Sequence, residues 1–333
     1  MEKQNSIRKG FGRASKVDYG RYGYYFILPF FIAYMLFQAY PLFNTIYLAF
    51  QKYLITGSNK IIGPNFVGLS NFVNVIAKGF TLRAFENTWI IWLINFIPQI
   101  LLAILLAKWL TDTRMKIKGQ GIIKVMVYMP SIITAASISV LFYSLLAFPQ
   151  GPINSLLAQL GIIDKARYSN AGEAAKVAIE FLSKGWYTRL TISFINFWMW
   201  YGNTMIVLIA GILGISPDLF EASQVDGASA NQTFRFVTLP LLKPILLYTL
   251  VTSLIGGMQM YDVPALMLQQ GSPAKAMIQT TTMYIMELVF DGTKDYGRGA
   301  AVSVLLFMVT GVLSMILFFI MREKDGSTKL KRG

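Results

Sequence analysis

The stretch Glu221–Pro240 reads EASQVDGASANQTFRFVTLP. It lies between two apolar runs, Leu190–Leu213 and Pro244–Tyr261. Each run is close to the roughly 20 residues that a helix rising about 1.5 Å per residue needs to cross a hydrocarbon core of about 30 Å. A polar insert so placed separates two membrane spans. Just before it, Ser216-Pro217 is a helix-start signal, with Pro at the first helical position. Asp218 and Glu221 then fall in the first turns, where negative charge suits the helix N-terminus. The pattern predicts a short helix over Pro217–Val225, a break at Asp226-Gly227, and a second helix over Ala228–Thr238 that ends at Leu239-Pro240. The small side chains of Ala222, Ser223, Gly227, Ala228, Ser229 and Ala230 would let another surface approach the backbone, as a docking element requires.

Outward from the insert, the chain has the composition of a membrane protein. Its 333 residues are 55% hydrophobic and only 14% charged, with a mean hydropathy of +0.52. A soluble domain of this length could not present that mix to water. Apolar runs place six spans at about 24–50, 88–107, 125–148, 190–213, 244–263 and 300–321, which predicts an all-α integral membrane fold over 22–321. Prolines 29, 41, 98 and 130 lie within or beside spans, where neighbouring helices and waters can satisfy the freed carbonyls. The basic segment 1–21 precedes an uncharged run, Tyr22–Gln51, much longer than the core of a cleavable signal, so it is expected to stay as a tail; 322–333 forms the other. Of the 30 Lys and Arg residues, 18 lie in these tails and in the loops after the second and fourth spans, although the remaining loops are longer. By the positive-inside rule both termini and the insert face the cytoplasm. On the outer side, Phe148–Ile163 carries Ile153, Leu156, Leu157, Leu160 and Ile163 at helical spacing, and reads either as a helix along the membrane surface or as the end of the third span. The mixed-charge segment Asp164–Arg189 is expected to hold one small external helix.

Several chemistries are excluded. The chain has no Cys and no His, which removes disulfides, zinc and imidazole chemistry. The net charge of +14 is spread through short loops and reports membrane orientation rather than nucleic-acid binding. No GxxxxGK[ST] phosphate loop occurs, and Gly292–Gly299 only looks glycine-rich, so no cofactor is expected on this chain. The apolar runs themselves, the fifth taken as Pro244–Tyr261, lack Asp, Glu, Lys and Arg, which argues against ion coupling, and no internal repeat of the kind common in secondary transporters is evident.

Neutral polar groups remain to line a path. Asn196, Trp200 and Asn203 share one face of the fourth span, and Ser253, Gln259, Met260 and Tyr261 run from mid-depth to the outer end of the fifth. Amides that bond hydroxyls, beside rings that stack on sugar faces, suit a neutral polyhydroxylated solute. The same residues also read as interhelical amide bonds with interfacial aromatics. Asn95 and Gln99, around Pro98, read as helix–helix contacts.

Glu221-Ala222-Ser223, Gly227 six positions after the Glu, and Val237-Thr238-Leu239-Pro240 together resemble the EAA loop of permease subunits in binding-protein-dependent ABC importers, here spanning 216–240. The family pattern has Ala where Ser223 stands and Ile where Val237 stands. Phe26–Pro29 with Tyr40-Pro41, Phe66–Phe72, Gly151–Asn154 with Leu160-Gly161, and Tyr296–Ala300 resemble, in order, the first of the two permeases in carbohydrate importers of the maltose and multiple-sugar type. The segment 164–185 is longer than that family leads one to expect.

The resemblance implies a type I ABC importer permease fold with a cytoplasmic coupling helix, in a bacterial or archaeal plasma membrane. Glu221, with Ala222, Ser223 and Asp226, would dock in an ATPase groove; Gly227 would allow the turn, and Leu239-Pro240 would join the insert rigidly to the fifth span. The implied partners are a second homologous permease, a cytoplasmic ATPase dimer that holds ATP and magnesium, an extracellular or periplasmic solute-binding protein, and a sugar. This chain would then be a transport subunit and not an enzyme. A permease for another solute of the same importer class, a stand-alone ion-coupled carrier or channel, and half of a lipid exporter are the alternatives. An exporter normally carries its ATPase fused to the spans, and none is present in this sequence.

Overall fold

The computed structural model describes residues 19–77, 79–112, 114, 118–170, 172–268, 274–292 and 294–322. Most of the expected tail 1–21, and all of 322–333 after Arg322, lie outside them. The chain is predominantly helical. Four helices, Tyr22–Ala49, Phe80–Thr111, Gly185–Leu213 and Tyr296–Met321, are long and apolar enough to cross a membrane, and the number rises to six if each of two bent helix pairs is one span.

The first of these helices consists of α1 (Tyr19–Tyr34) and α2 (Tyr40–Ala49), joined through a π turn at Met35–Ala39. Pro41 follows the π turn inside this continuous helix, where its missing N–H leaves one helical bond unmade. A small sheet follows that hydropathy did not announce. β1 (Gln51–Ile55) pairs antiparallel with β2 (Ile61–Phe66) and with the short β3 (Lys294–Asp295), in the order β2-β1-β3. The sheet ties the beginning of the chain to its end. Asn71, on α3 (Ser70–Ala77), donates through Nδ2 to the carbonyls of Ala49 (2.9 Å) and Gln51 (2.8 Å) and fixes where α2 hands over to β1.

The central pair is α4 (Phe80–Thr111) and α10 (Gly185–Leu213). Pro98 lies inside α4 without ending it. Between them, the expected third span proves not to be one helix. α5 (Gln120–Tyr128) runs into a 3₁₀ turn at Met129–Ile132, and α6 (Ala135–Leu145) leaves at 92°. Pro130 supplies no N–H, Ile133 is extended, and the Thr134 hydroxyl accepts from the N–H of Ser137 (3.2 Å) to start a fresh helix.

The outer segment is likewise more broken than expected. Within Phe148–Ile163 only α7 (Pro152–Gln159) is helical, and Asp164–Arg189 holds two short helices, α8 (Lys165–Ser169) and α9 (Ala174–Val177), before α10 starts at Gly185. Asn154 is fully buried and bonds both the N–H (2.9 Å) and the C=O (3.1 Å) of Ile179, which fastens α7 to the chain after α9.

After α10 come α11 (Pro217–Val225), α12 (Ala230–Thr233), a π turn at Phe234–Thr238, α13 (Leu239–Leu241) and α14 (Lys243–Met258). The axis bends by 65° at Leu242, where Pro240 and Pro244 each remove a helical N–H. α14 stops at Met258, short of the expected end near 263, and α15 (Asp262–Met267), α16 (Lys275–Ile278) and α17 (Thr281–Phe290) lead to α18 (Tyr296–Met321).

Two apolar clusters hold α4 on α10. One gathers Ile91, Ile192, Ile195 and Met199 with Ile138, Val263, Met267 and Ile278; the other gathers Ala103, Ala107, Leu110, Met205, Leu208, Ile212 and Leu242. Gly202, between them, brings α10 against the α5 backbone: a Cβ there would stand 2.2 Å from the Val127 carbonyl oxygen. Only a residue without a side chain permits that approach.

Candidate functional site

The stretch of α10 between the two clusters faces a cavity of about 560 Å³, within the usual range for small-molecule sites. All seven residues singled out from the sequence line it: Asn196, Trp200 and Asn203 from α10, Ser253 from α14, and Gln259, Met260 and Tyr261 from the link to α15. They are not equivalent. Asn196 is almost fully buried and its Nδ2 donates to the Ile192 carbonyl (2.9 Å), whereas the Trp200 ring is half exposed. Ser253 is occupied as well: the Trp92 indole Nε1 donates to its carbonyl (3.0 Å) and to its hydroxyl (3.2 Å). Trp92 in turn stacks on Phe96 with ring centroids 5.1 Å apart.

Asn95 and Gln99, expected only as helix–helix contacts, serve both purposes. Gln99 Nε2 donates to the Thr204 hydroxyl (2.7 Å) and Asn95 Nδ2 to the Ile91 carbonyl (3.0 Å), and both border the cavity. Sequence reasoning passed over Trp92, Tyr248, Thr249, Thr252 and Asp262, which line it too. A usable signal was present, since Trp92, Asn95 and Gln99 repeat the three-and-four spacing of Asn196, Trp200 and Asn203. Asp262 and Arg189 correct the expectation of a charge-free interior. Asp262 is an exposed carboxylate at one end of the cavity. Arg189 is buried in α10, outside the cavity lining, where its Nε (3.0 Å) and Nη2 (2.8 Å) donate to the Met277 carbonyl and Nη2 also to Asn87 Oδ1 (2.6 Å). It stands directly before Leu190, the first residue of the uncharged run.

The insert forms the second part of the site. α11 has the bounds its sequence pattern predicts, with Pro217 in its first turn. The Ser216 hydroxyl donates to the Asp218 carboxylate (3.2 Å) rather than capping the backbone. Gly227 turns the chain at φ +74°, the left-handed region where a side chain is strained. The second helix is shorter than expected. It begins with a reciprocal cap, the Ser229 hydroxyl accepting from Gln232 N–H and the Gln232 side chain accepting from Ser229 N–H, and gives way to the π turn after Thr233.

Glu221, Ala222 and Asp226 are exposed, Leu239 is half-buried and Pro240 exposed. Ser223 departs from its expected place on a docking face. It is buried, and its hydroxyl contacts that of Thr233 (3.1 Å) and donates to the Phe220 carbonyl (2.8 Å). Arg114 Nη2 donates to the Ala228 carbonyl (3.1 Å), Lys108 Nζ donates to Asn231 Oδ1, and the Lys108 ammonium stands 5.2 Å from the Phe234 ring centre. A second cavity of about 410 Å³ lies between these groups and Glu221 and Gln224. α11 and α12 are therefore held to the end of α4 as well as to α10 and α14.

Comparison with known proteins places this architecture. A family model described as "Binding-protein-dependent transport system inner membrane component" matches residues 87–323. The chain is 28% identical to the lactose transport system permease protein LacF of Rhizobium radiobacter, over 91% of this chain and 94% of that protein. It is 26% identical to the trehalose/maltose transport system permease protein MalF of Thermococcus litoralis, over 92% of this chain and 95% of that one. Its fold is similar to a chain of a bacterial ABC transporter involved in import of the acidic polysaccharide alginate, with a TM-score of 0.76, 22% identity, and coverage of 92% of this chain and 98% of that chain. A second alginate ABC transporter structure, in complex with an alginate pentasaccharide-bound periplasmic protein, matches with a TM-score of 0.74 and 23% identity, covering 92% and 96%.

Proposed function

Because the chain belongs to the family of binding-protein-dependent transport system inner membrane components, a transport component and not an enzyme, we propose that it is the permease subunit of an ABC importer for a sugar or oligosaccharide. In this reading each bent helix pair is one span, giving six, and the insert is the cytoplasmic coupling element. ATP and magnesium are held by a partner ATPase dimer, a second permease completes the path, and an extracellular or periplasmic binding protein delivers the solute.

One observation carries the reading: the cavity and the insert are built on the same helices. α10 contributes Asn196, Trp200 and Asn203 to the cavity and ends four residues before α11 begins; α14, entered through Leu239-Pro240-Leu241, contributes Ser253. A displacement of the insert is therefore applied to two walls of the cavity at once. Closure of the ATPases on ATP would move Glu221 and its neighbours, and the wall would change the end at which it opens. The lining supports a glycan cargo, since amides and hydroxyls can exchange bonds with sugar hydroxyls while Trp200, Tyr248 and Tyr261 offer ring faces.

The test is transport by the assembled complex in proteoliposomes. Asn196→Ala and Trp200→Ala should lower uptake at least several-fold while the ATPase still co-purifies. Wild-type uptake in both variants would move the path elsewhere. Flux through this chain alone, without ATP, would favour a stand-alone carrier or channel.

A further inference from the structure

Among the described residues, every side chain lining the 560 Å³ cavity is uncharged except one. Asp262 stands where α14 gives way to α15, exposed, and forms no ion pair among the described residues. Among the described residues no Lys or Arg lines the cavity. Arg189, two turns from Asn196 on α10, is committed to Met277 and Asn87 and does not border it. This chain's share of the space that would receive a solute thus offers hydroxyls, amides, aromatic rings and, among the described residues, a single negative charge.

Charge is costly to bring into such a space. An anionic sugar leaves water that solvates its carboxylate and needs a cation or several aimed N–H donors in exchange. Of the two α10 amides that line the cavity, Asn196 already donates through Nδ2 to the Ile192 carbonyl. The one fixed charge repels rather than attracts. Asp262 is exposed, so water and salt screen its field in part, and it acts on a solute held within a few ångströms of it.

We propose that the cavity selects its cargo by charge: it admits neutral and amino-bearing glycans, and Asp262 is the residue that turns back acidic ones such as uronate chains. This rests on the carbohydrate reading above and narrows it. Among the described residues this lining carries no cationic side chain to offset a uronate's charge. Rejection arises from an unmatched like charge, so specificity here is built against the wrong solute as well as for the right one.

The test uses the transporter purified through this chain with its bound subunits, in nanodiscs, and three trisaccharides of matched size: a glucose trimer, a galacturonic acid trimer and a glucosamine trimer. Tryptophan emission reports binding, since Trp92 and Trp200 line the cavity. The uronate trimer is expected to bind about tenfold more weakly than the glucose trimer at low salt, the size of effect one partly screened charge exerts at a few ångströms, with the gap narrowing at high salt. Asp262→Asn should collapse the ratio to within about twofold, and Asp262→Lys should reverse it. Equal binding of the glucose and uronate trimers by the wild type, or an unchanged ratio in both variants, overturns the charge filter and leaves the carbohydrate reading standing. Failure of all three trimers to bind, with no change in Trp200→Ala, overturns both. The salt dependence in the wild type needs no variant, so misfolding of a substituted chain cannot mimic a positive result.

Discussion

Gly256 and Gly257 are neighbours on α14, and the structure gives them opposite fates when a methyl group is added. A Cβ on Gly257 would stand 2.0 Å from Trp92 Cδ1 and 2.6 Å from Cγ, whereas one on Gly256 meets nothing within 4 Å and points into open space at the cavity wall. Ordinary carbon contact begins near 3.5 Å, so Gly257→Ala asks the indole to retreat by about 1.5 Å. Trp92 cannot retreat freely, because its Nε1 is bonded to Ser253 and its ring is stacked on Phe96. Overpacking of this kind costs about 1–3 kcal/mol, and a lost buried hydrogen bond adds about 1 kcal/mol. Gly257→Ala should therefore destabilise the chain by about 2–4 kcal/mol, and Gly256→Ala by less than about 0.5 kcal/mol. Unfolding in mixed micelles followed by tryptophan emission measures both, and the Gly257 variant should also shift the native spectrum as Trp92 leaves its hydrogen bond. Equal stability of the two variants would refute the packing described for α4 and α14. Gly256→Phe extends the logic: it should fill the cavity and abolish uptake while leaving the unfolding midpoint near wild type.

Other consequences are as specific. Arg189→Met should destabilise by about 2–4 kcal/mol, because the Asn87 and Met277 oxygens lose a buried charged donor, and Arg189→Lys should recover little, since one ammonium cannot reproduce the Nε and Nη2 fork; the same unfolding assay decides. Gly227→Val should cost at least about 1–2 kcal/mol of local strain at φ +74° and depress uptake, while Gly227→Asn should retain most transport; equal loss in both would mean that space rather than backbone conformation governs the turn. The double variant Lys108→Ala with Arg114→Ala removes the bonds to Asn231 and Ala228 from α4 and from the chain just beyond it, and ATP hydrolysis by the complex should continue with fewer solutes moved per ATP; an unchanged ratio would show that α4 is not driven by the insert.

What was legible in the sequence follows from which forces act locally. The α11 boundaries could be read because Pro217, Asp218 and Gly227 each impose a backbone preference on their own turn. The grouping of Asn196, Trp200 and Asn203 followed from helical spacing alone. The 92° break at Pro130 did not, because hydropathy counts apolar length and is blind to direction. The sheet was missed for a different reason: β1 pairs with β3 some 240 residues away, and a two-residue strand carries no periodicity of its own. The burial of Ser223 was not legible because its partner, Thr233, lies across a turn whose geometry only the folded backbone fixes. Arg189 was lost at a boundary, where a charge at a helix end and a charge in a loop look the same.

The hydroxyl pair of Ser223 and Thr233 also has a bearing on engineering. It bridges the turn at Gly227, and with the Ser229–Gln232 cap and the Arg114 bond to Ala228 it makes the two short helices one mechanical cassette. Chimaeras that exchange this region between related permeases should therefore respect its seams. A graft cut at Leu213 and Leu242, with Lys108 and Arg114 retained or exchanged alongside, carries the cassette intact, whereas a splice between Gly227 and Ser229 pairs halves that have never had to fit each other.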